Sequence, residues 1–440
     1  MSTLRLRWLA CAPIVAALTA TACEESGIVI GKKPGQSQDG SGGDGAPAPP
    51  TPEPETNDDG GPPIADPGEP IAPVTGCEEL AWVGEPVEVD GNGGPIRGPG
   101  LFPLSSGGIG VTYADYAPDQ FVKAIISRTI AEPFGAWPPV IGAQTVHLTG
   151  FDFDDSLGVI TATPQGVFAR SGLVEGVFAV GEPGVLVRTT GSVGAMVDEA
   201  GSGSAYSVRW DANAALYAID RYASPGQAAE PELLGTVPPG APPAGHAEFR
   251  FATNGANTTL ISAAPTSGAA SLDPPVDAQL HFYRAQGGSI METSHIDLGF
   301  YPTRHWLVPR EGGFFAAVSH PSNTNGSGAG VIAVYRIDHD GKQVGAPWVY
   351  RAPPPTDAWS FTGWRNGFAI GLQQGSRLHI VVSDGVGVTH LMTDEIWVFA
   401  DPEPYIPIVV GGDDQESILI GQSTTIRLLL HRADCIASEN

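Results

Sequence analysis

The amino-acid sequence predicts an all-β fold built from a repeated unit, and three observations support this. The 440 residues include 58 glycines and 41 prolines, a composition typical of short strands joined by tight turns. Hydrophobic residues make up 42% of the chain, which suffices for a core. Pairs of short apolar segments also recur at similar intervals, which indicates a repeat architecture.

Seven such pairs follow one another between residues 109 and 432. They are 109–114 with 121–129, 157–162 with 166–171, 194–199 with 216–222, 258–265 with 278–285, 313–320 with 331–338, 367–374 with 377–384, and 417–424 with 425–432. Flanking strands are expected beside each pair. For the second pair, segment 147–153 would enter the unit and segment 176–182 would leave it.

The spacing of these pairs favours a β-propeller. In the last four pairs, the first segments are aligned at Leu260, Phe315, Ala369 and Leu419, which lie 50 to 55 residues apart. A four-stranded propeller blade repeats about every 40 to 50 residues. We therefore expect seven four-stranded blades. Six blades, or tandem β-sandwiches, remain open because the first three pairs are irregular.

The two ends of the repeated region predict how the ring closes. The last unit has segments 405–412, 417–424 and 425–432 but lacks a fourth strand, whereas segment 79–91 is in excess at the start. We expect the N-terminal segment to complete the last blade as its outer edge. Antiparallel neighbours place the end of one strand beside the start of the next. Cys435 would then lie beside Cys77.

The N-terminus has the features of an export signal. Arg5 and Arg7 precede an apolar run at 8–18, which is shorter than the roughly 20 residues of a membrane-spanning helix. The small residues 20–22 before Cys23 resemble the lipobox of bacterial lipoproteins, with Ala20 where leucine is usual. An ordinary secretory signal with a nearby cleavage site is the alternative.

The lipoprotein resemblance implies that Cys23 is acylated, with palmitate among its fatty acids, and becomes the first mature residue. The protein would then be lipid-anchored in the bacterial cell envelope. An aspartate after the cysteine marks inner-membrane retention in this family, and Glu24 stands there instead. The resemblance therefore favours the outer membrane, with the lipid bilayer as a partner through Cys23.

Composition divides the chain into three parts. Residues 1–22 are the predicted signal peptide, 23–76 the acylated N-terminus and tether, and 77–440 the β-propeller domain. The tether is rich in Pro, Gly and Asp and has too few bulky apolar residues to offset the entropy of ordering it. A flexible chain of this length would average about 40 Å between its ends.

Cysteine use predicts one disulfide. Cys11 belongs to the signal and Cys23 is the lipidation candidate, so Cys77 and Cys435 remain at the two ends of the predicted domain. Exported proteins encounter an oxidising compartment, in which such a pair is expected to be oxidised. Two free thiols are the alternative.

The charge of the chain limits its partners. Asp and Glu number 48 against 22 Lys and Arg, giving a formal net charge of −26. Nucleic acids and anionic lipid headgroups are held mainly by Lys and Arg, so we expect neither as a partner. The acidity also keeps an exported protein dispersed, and we expect a monomer.

The sequence contains no catalytic motif that we recognise. A G-x-S-x-G elbow, an H-E-x-x-H helix and a phosphate-binding glycine loop do not occur. Each of these motifs requires a fixed spacing of residues, which the Gly- and Ser-containing stretches of this chain lack. The ten histidines are scattered, and we expect no metal site and no cofactor. His305, beside Trp306, is interpreted as a partly buried strand histidine.

Two acidic segments and one aromatic segment have both a structural and a functional interpretation. Asp338, Asp340 and Gly341 have a calcium-like D-x-D-G spacing, but further acidic ligands are missing and a turn is favoured. The carboxylates at 152, 154 and 155 alternate with phenylalanines, as in a half-buried strand. Aromatic residues could bind sugars, but packing between blades is favoured. These residues are Tyr301, Trp306, Trp359, Phe361 and Trp364.

Two functions follow from these observations. The first is a membrane-tethered module that binds an unidentified protein or glycan outside the cytoplasm, without catalysis. The alternative is a secreted propeller hydrolase or lyase acting on glycans, whose catalytic groups only the fold brings together. Two inward-facing carboxylates about 5 to 10 Å apart would favour the enzyme.

Overall fold

The protein is described here by a computed structural model. All described residues belong to the second of two units of the chain, Asp58–Asn440. The structure describes residues 74–436 except 75, 91–95, 105–107, 117–122, 150–158, 164–165, 172–173, 179–184, 189–193, 201–204, 212, 223–231, 238–246, 255–257, 266–276, 287–288, 322–328, 353–357, 375, 394–405, 407, 412–414 and 424–426.

The secondary structure of this part of the chain is almost entirely β-strand. The strands are β1 Glu79–Trp82, β2 Val87–Asp90, β3 Arg97–Pro103, β4 Ile109–Tyr116, β5 Lys123–Ala131, β6 Val140–Ile141, β7 Thr145–Thr149, β8 Val159–Thr163, β9 Gly166–Ser171, β10 Val174–Phe178, β11 Val185–Arg188, β12 Gly194–Ala200, β13 Ala205–Asp211, β14 Leu216–Tyr222, β15 Glu232–Val237, β16 Ala247–Thr253, β17 Thr259–Pro265, β18 Gln279–Gln286, β19 Ser289–Asp297, β20 His305–Arg310, β21 Gly313–Pro321, β22 Ala329–Ile337, β23 Trp348–Arg351, β24 Ala358–Trp364, β25 Gly367–Gln374, β26 Arg377–Ser383, β27 Val388–Met392, β28 Ile408–Gly411, β29 Ser417–Ser423 and β30 Leu428–Ile436. Among the described residues, no helix is long and apolar enough to cross a membrane.

The strands pair with their sequence neighbours into antiparallel groups. Group 1 is β3–β7, group 2 β8–β11, group 3 β12–β15, group 4 β16–β19, group 5 β20–β23, group 6 β24–β27, and group 7 β28–β30 with β1 and β2. Groups 3 and 4 form one hydrogen-bonded sheet, because β12 and β16 pair in parallel for two residues. In the part of the chain that the structure describes, six hydrogen-bonded sheets therefore contain seven antiparallel groups. The predicted all-β propeller is confirmed, and its number of blades stays a prediction.

The first strands of the groups form a closed circuit. β3 contacts β8, β8 contacts β12, and β12 pairs with β16. The circuit continues through β20, β24 and β28, and β28 contacts β3. The first strand of each group is therefore its innermost strand, as expected in a propeller.

The hydrophobic core lies between successive groups, because each sheet is covered on both faces. Phe314 packs into the cluster between groups 4 and 5, whereas the next residue, Phe315, packs into the cluster between groups 5 and 6. Middle strands such as β25 and β29 are consequently buried along almost their whole length. This explains why their sequences contain consecutive apolar residues, as at 368–372 and 418–420, and not a strict alternation of apolar and polar residues.

The ring closes in the way the sequence predicts. β1 pairs antiparallel with the outer edge of β30, with Leu80 opposite Cys435, and β2 pairs with the same strand nearer its start. Cys77 and Cys435 form a disulfide with their Cα atoms 5.3 Å apart. The closure differs from the prediction in two details. Segment 79–91 forms two strands, β1 and β2, where the sequence predicts one, and β30 extends to Ile436, so Cys435 lies within the strand and not after it.

Two predicted strand assignments are wrong. Segment 194–199 pairs with β13 and not with 216–222, because β13 lies between them. The sequence of β13, AYSVRWD, mixes polar and apolar residues and therefore contains no apolar run that would predict a strand. Residues 145–149 pair with β5 at the outer side of group 1, so they end one group and do not enter the next.

Candidate functional site

A partly buried polar junction connects the innermost strands of groups 4 and 5. Glu248 and Arg250 lie on β16, Ser262 lies on β17, and His305 begins β20. We call these four residues the Glu248–His305 junction. Glu248 and Arg250 project from the same side of β16 because alternate strand residues share a face. Phe249 and Phe251 project from the other side into the core between groups 3 and 4.

Hydrogen bonds in the junction form a chain through His305. The Nδ1 atom of His305 lies 3.1 Å from Glu248 Oε2, and its Nε2 atom lies 3.1 Å from Ser262 Oγ. The backbone N–H of His305 donates to the same Glu248 oxygen at 3.1 Å. Arg250 donates to the other carboxylate oxygen of Glu248, and its Nε donates to the His305 carbonyl at 2.9 Å.

These contacts keep Glu248 ionised. Burial alone would raise the pKa of this carboxyl group, but the Arg250 charge and the His305 hydrogen bond outweigh burial and lower it to about 2. A glycosidase general acid requires a raised carboxyl pKa. Glu248 is therefore unsuited to that role.

The hydrogen-bonded order Ser262–His305–Glu248 is that of the nucleophile, base and acid of a catalytic triad, but a substrate has no access to these residues. Ser262 and His305 are both 0% exposed. A catalytic serine must reach the reacting carbonyl, and its base must reach the leaving group. The arrangement instead satisfies buried polar groups and fixes β20 against β16. His305 is a strand residue, as the sequence predicts, but it is fully and not partly buried. Its partners could not be inferred from the sequence.

The predicted aromatic residues lie mainly in the core. Trp359, Phe361 and Trp364 are at most 3% exposed, as the packing interpretation requires. Trp306 is partly buried, and its ring centroid lies 6.1 Å from that of Trp359. The guanidinium group of Arg250 lies 4.9 Å from the ring centroid of Trp306. This contact connects the aromatic packing between groups 5 and 6 to the Glu248–His305 junction.

A cleft opens between groups 3 and 4, with a volume of about 250 Å³. Its lining residues are Tyr206, Arg221, Leu234, Thr258, Thr259, Arg284 and Ala285. Tyr206 stacks on Phe251, with the ring centroids 4.0 Å apart, so one wall of the cleft is held by the core. Two guanidinium groups and three hydroxyl groups among the lining residues make the cleft polar, and one of these guanidinium groups, that of Arg284, pairs with Asp340.

The acidic D-x-D-G segment forms a turn. The Asp338 carboxylate accepts the backbone N–H groups of Asp340 and Lys342 at 2.9 and 2.8 Å, and Asp340 pairs with Arg284 at 2.8 Å. Gly341 has a φ of +85°, which favours glycine. The predicted turn is confirmed, because the Asp338 carboxylate accepts hydrogen bonds within the turn and the Asp340 carboxylate connects the turn to Arg284 on β18.

Histidines that are distant in the sequence come together on the outer strands of two groups. In group 4, His281 lies on β18, while Glu292 and His295 lie on β19, and their ligand atoms are within 4.8 Å of one another. In group 6, His379 and His390 have ring nitrogens 3.2 Å apart. Sequence spacing gave no sign of either set, because strand pairing creates the proximity.

Other predicted positions lie outside the described residues. These are Cys23 and the carboxylates Asp152, Asp154 and Asp155. Acylation of Cys23 and the boundaries 1–22, 23–76 and 77–440 stay predictions.

The comparisons identify no family for this chain. No protein-family model matches it, and no curated protein matches it significantly. Among solved structures, it is similar to a protein of unknown function from Dyadobacter fermentans, with a TM-score of 0.46 and 10% identity over 81% of this chain and 99% of that one. It is also similar to an alpha-L-arabinanase of Penicillium chrysogenum complexed with arabinobiose, with a TM-score of 0.42 and 9% identity over 81% and 99%. A third similar structure is a chain of the mitotic checkpoint complex, with a TM-score of 0.44 and 10% identity over 85% and 99%. These similarities are too distant to carry an argument about function.

Proposed function

We propose that this protein is a lipid-anchored binding module of the bacterial cell envelope, held by acylated Cys23 and displayed on the 23–76 segment. The observation that carries the proposal is the closure of the ring at the end of that segment. The Cys77–Cys435 disulfide and the β1–β30 pairing hold the domain together where the tether joins it. A force applied through the tether would therefore act on β1, which the Cys77–Cys435 disulfide connects to the C-terminal strand β30.

The cleft between groups 3 and 4 is the surface that we assign to ligand binding. Arg284 already donates from one guanidinium nitrogen to Asp340, so its remaining N–H groups, together with those of Arg221, are the donors that we assign to carboxylate groups of the ligand. The hydroxyl groups of Thr258 and Thr259 can form hydrogen bonds with hydroxyl groups of the ligand. An acidic glycan offers both kinds of group. The glycan-hydrolase alternative receives no support from Glu248, whose pKa of about 2 leaves it without a proton to donate.

Membrane fractionation combined with mass spectrometry tests the anchor. In a bacterium with two membranes, we expect the full chain in the outer-membrane fraction with an acylated N-terminal Cys23. Cys23→Ala should release it, whereas Cys11→Ala, in the predicted signal, should leave anchoring unchanged. A membrane-bound Cys23→Ala variant, or an unacylated mature N-terminus, would contradict the anchor.

Binding to immobilised acidic and neutral polysaccharides tests the cleft. We expect retention on an acidic polysaccharide, and at least about tenfold weaker binding by Arg284→Gln because the charged hydrogen bonds of this guanidinium group to the ligand are lost. Arg351→Gln, at an exposed arginine on β23, is the matched control and should bind like the unmodified chain. Equal binding by both variants would exclude the cleft.

A further inference from the structure

We propose that His281, Glu292 and His295 form a binding site for a divalent transition metal, with zinc as the metal that best fits the ligands. The proposal is independent of the anchor and of the cleft. It rests on the geometry of β18 and β19, the two outer strands of group 4, and on the donor atoms that these strands bring together.

A β-bulge places the three side chains on one face. His281 is directly opposite His295, and Phe282 is opposite Ser294, but Tyr283 is opposite Glu292. Thr293 is therefore an extra residue in β19. In a regular strand, residues 292 and 295 would face opposite sides. The bulge returns Glu292 to the face of His295, and bulges often re-aim a side chain in this way.

The neighbouring turn supports this bulge from outside the strand pair. Thr293 Oγ1 donates to the Phe282 carbonyl at 3.2 Å, and the Ser294 hydroxyl donates to the Gly341 carbonyl. A Cβ atom at Gly341 would lie 2.4 Å from Thr293 Oγ1, so the turn packs closely against the extra residue. The bulge is thus fixed by groups 4 and 5 together.

The donor atoms are close to the separations that zinc requires. Glu292 Oε1 lies 2.9 Å from His281 Nδ1 and 3.3 Å from His295 Nδ1. Zinc binds nitrogen and oxygen ligands at about 2.0 to 2.2 Å, which in a tetrahedral site places them about 3.3 Å apart. The ligand atoms of all three residues lie within 4.8 Å of one another, so the two imidazoles must approach each other for all three donors to enter one shell.

The environment suits a site with one open position. His281 is buried and its ring is 6.1 Å from that of Tyr283 at an angle of 24°, which limits its orientation. The Glu292 and His295 side chains are 37% and 50% exposed, so a metal ion can enter from solvent and retain a water molecule. Two imidazoles and one carboxylate are a ligand set of zinc sites that keep an open position.

Zinc titration of the full chain, stripped with a chelator, tests the proposal by calorimetry at pH 7.5. We expect one zinc ion per chain, with no competition from Mg²⁺, because Mg²⁺ prefers oxygen ligands. Glu292→Gln and His295→Gln should each weaken zinc binding at least about tenfold. Even the loss of a residue that only hydrogen-bonds to a metal ligand lowers metal affinity about 10- to 100-fold. His320→Gln, at an exposed histidine on β21, is the control and should bind zinc unchanged.

Thermal unfolding provides a second readout. Zinc should raise the Tm of the unmodified chain and of His320→Gln, because a ligand that binds only the folded state stabilises it. At the same zinc concentration, it should raise the Tm of His295→Gln clearly less. A dissociation constant weaker than about 1 mM for the unmodified chain, or unchanged zinc affinity in both ligand variants, would overturn the proposal.

Discussion

The buried polar residues of this protein connect neighbouring groups of strands. His305 makes hydrogen bonds to side chains of two strands of group 4 although it belongs to group 5. Asn254 and His339 make a similar contact at 2.8 Å between the same groups. A buried polar group without a partner is costly, so such contacts favour one mutual arrangement of the groups.

Replacement of Glu248 tests the contribution of the junction to stability. Glu248→Gln keeps the size of the side chain but removes the charge that Arg250 and His305 contact. We expect the free energy of unfolding at pH 7 to fall by about 1 to 3 kcal/mol, as for other hydrogen bonds to charged groups that are largely shielded from water. Urea denaturation measures this change. Glu311→Gln, at an exposed residue of the β20–β21 turn, should change stability little; equal effects of the two variants would contradict the assigned role.

His379 makes stability sensitive to acid. Burial, followed by the neighbouring His390, lowers the pKa of His379 from 6.5 to about 4. The unfolded chain therefore takes up a proton before the folded chain does. The stabilisation is complete above pH 6.5 and is lost as pH falls towards 4, with a maximum of about 3 kcal/mol.

A pH series of unfolding measurements on His379→Gln checks this expectation. The variant should lose part of the stability decrease between pH 6.5 and 4. His320→Gln should retain the whole decrease, since His320 is exposed. Identical pH profiles for His379→Gln and the unmodified chain would show that His379 does not titrate as its burial requires.

Close contacts between strands recur at equivalent positions of groups 5 and 6. Gly313 begins β21, and Gly367 begins β25. A Cβ atom would lie 2.1 Å from the Ile337 carbonyl oxygen at the first position and 1.9 Å from the Ser383 carbonyl oxygen at the second. Each glycine therefore allows a middle strand to approach the third strand of its own group.

Gly367→Ala tests this close approach. The added methyl group must displace the backbone, and overpacking of this kind costs about 1 to 3 kcal/mol. Gly363→Ala on the paired strand is the control, because its Cβ atom would lie 3.3 Å from the nearest atom, the Pro309 carbonyl oxygen. Thermal melts should show a clearly larger decrease in Tm for Gly367→Ala. Similar decreases for the two variants would contradict the steric argument.

How far the sequence predicts an element depends on how the element is buried. The β25–β26 pair could be predicted because both strands are covered on two faces and read as apolar runs. β13 was missed because its polar residues interrupt the pattern. The His281–Glu292–His295 set could not be predicted, since it requires both a cross-strand register and an extra residue at Thr293.

The closure of the whole ring was predictable because it follows from a count of strands. The last group lacks a fourth strand and the N-terminal segment supplies it, which also brings the two cysteines together. Their separation of 358 residues would give the disulfide a stabilisation of about 5 to 6 kcal/mol in the loop-entropy model. The proposed binding surface was not predictable, because the cleft between groups 3 and 4 combines residues from five strands.

Peptide mapping of the mature chain without reduction tests this closure most directly. After alkylation of free thiols and proteolysis, we expect one disulfide-linked species that contains Cys77 and Cys435, and it should separate into two peptides on reduction. Recovery of both cysteines as alkylated free thiols would contradict the covalent closure of the ring.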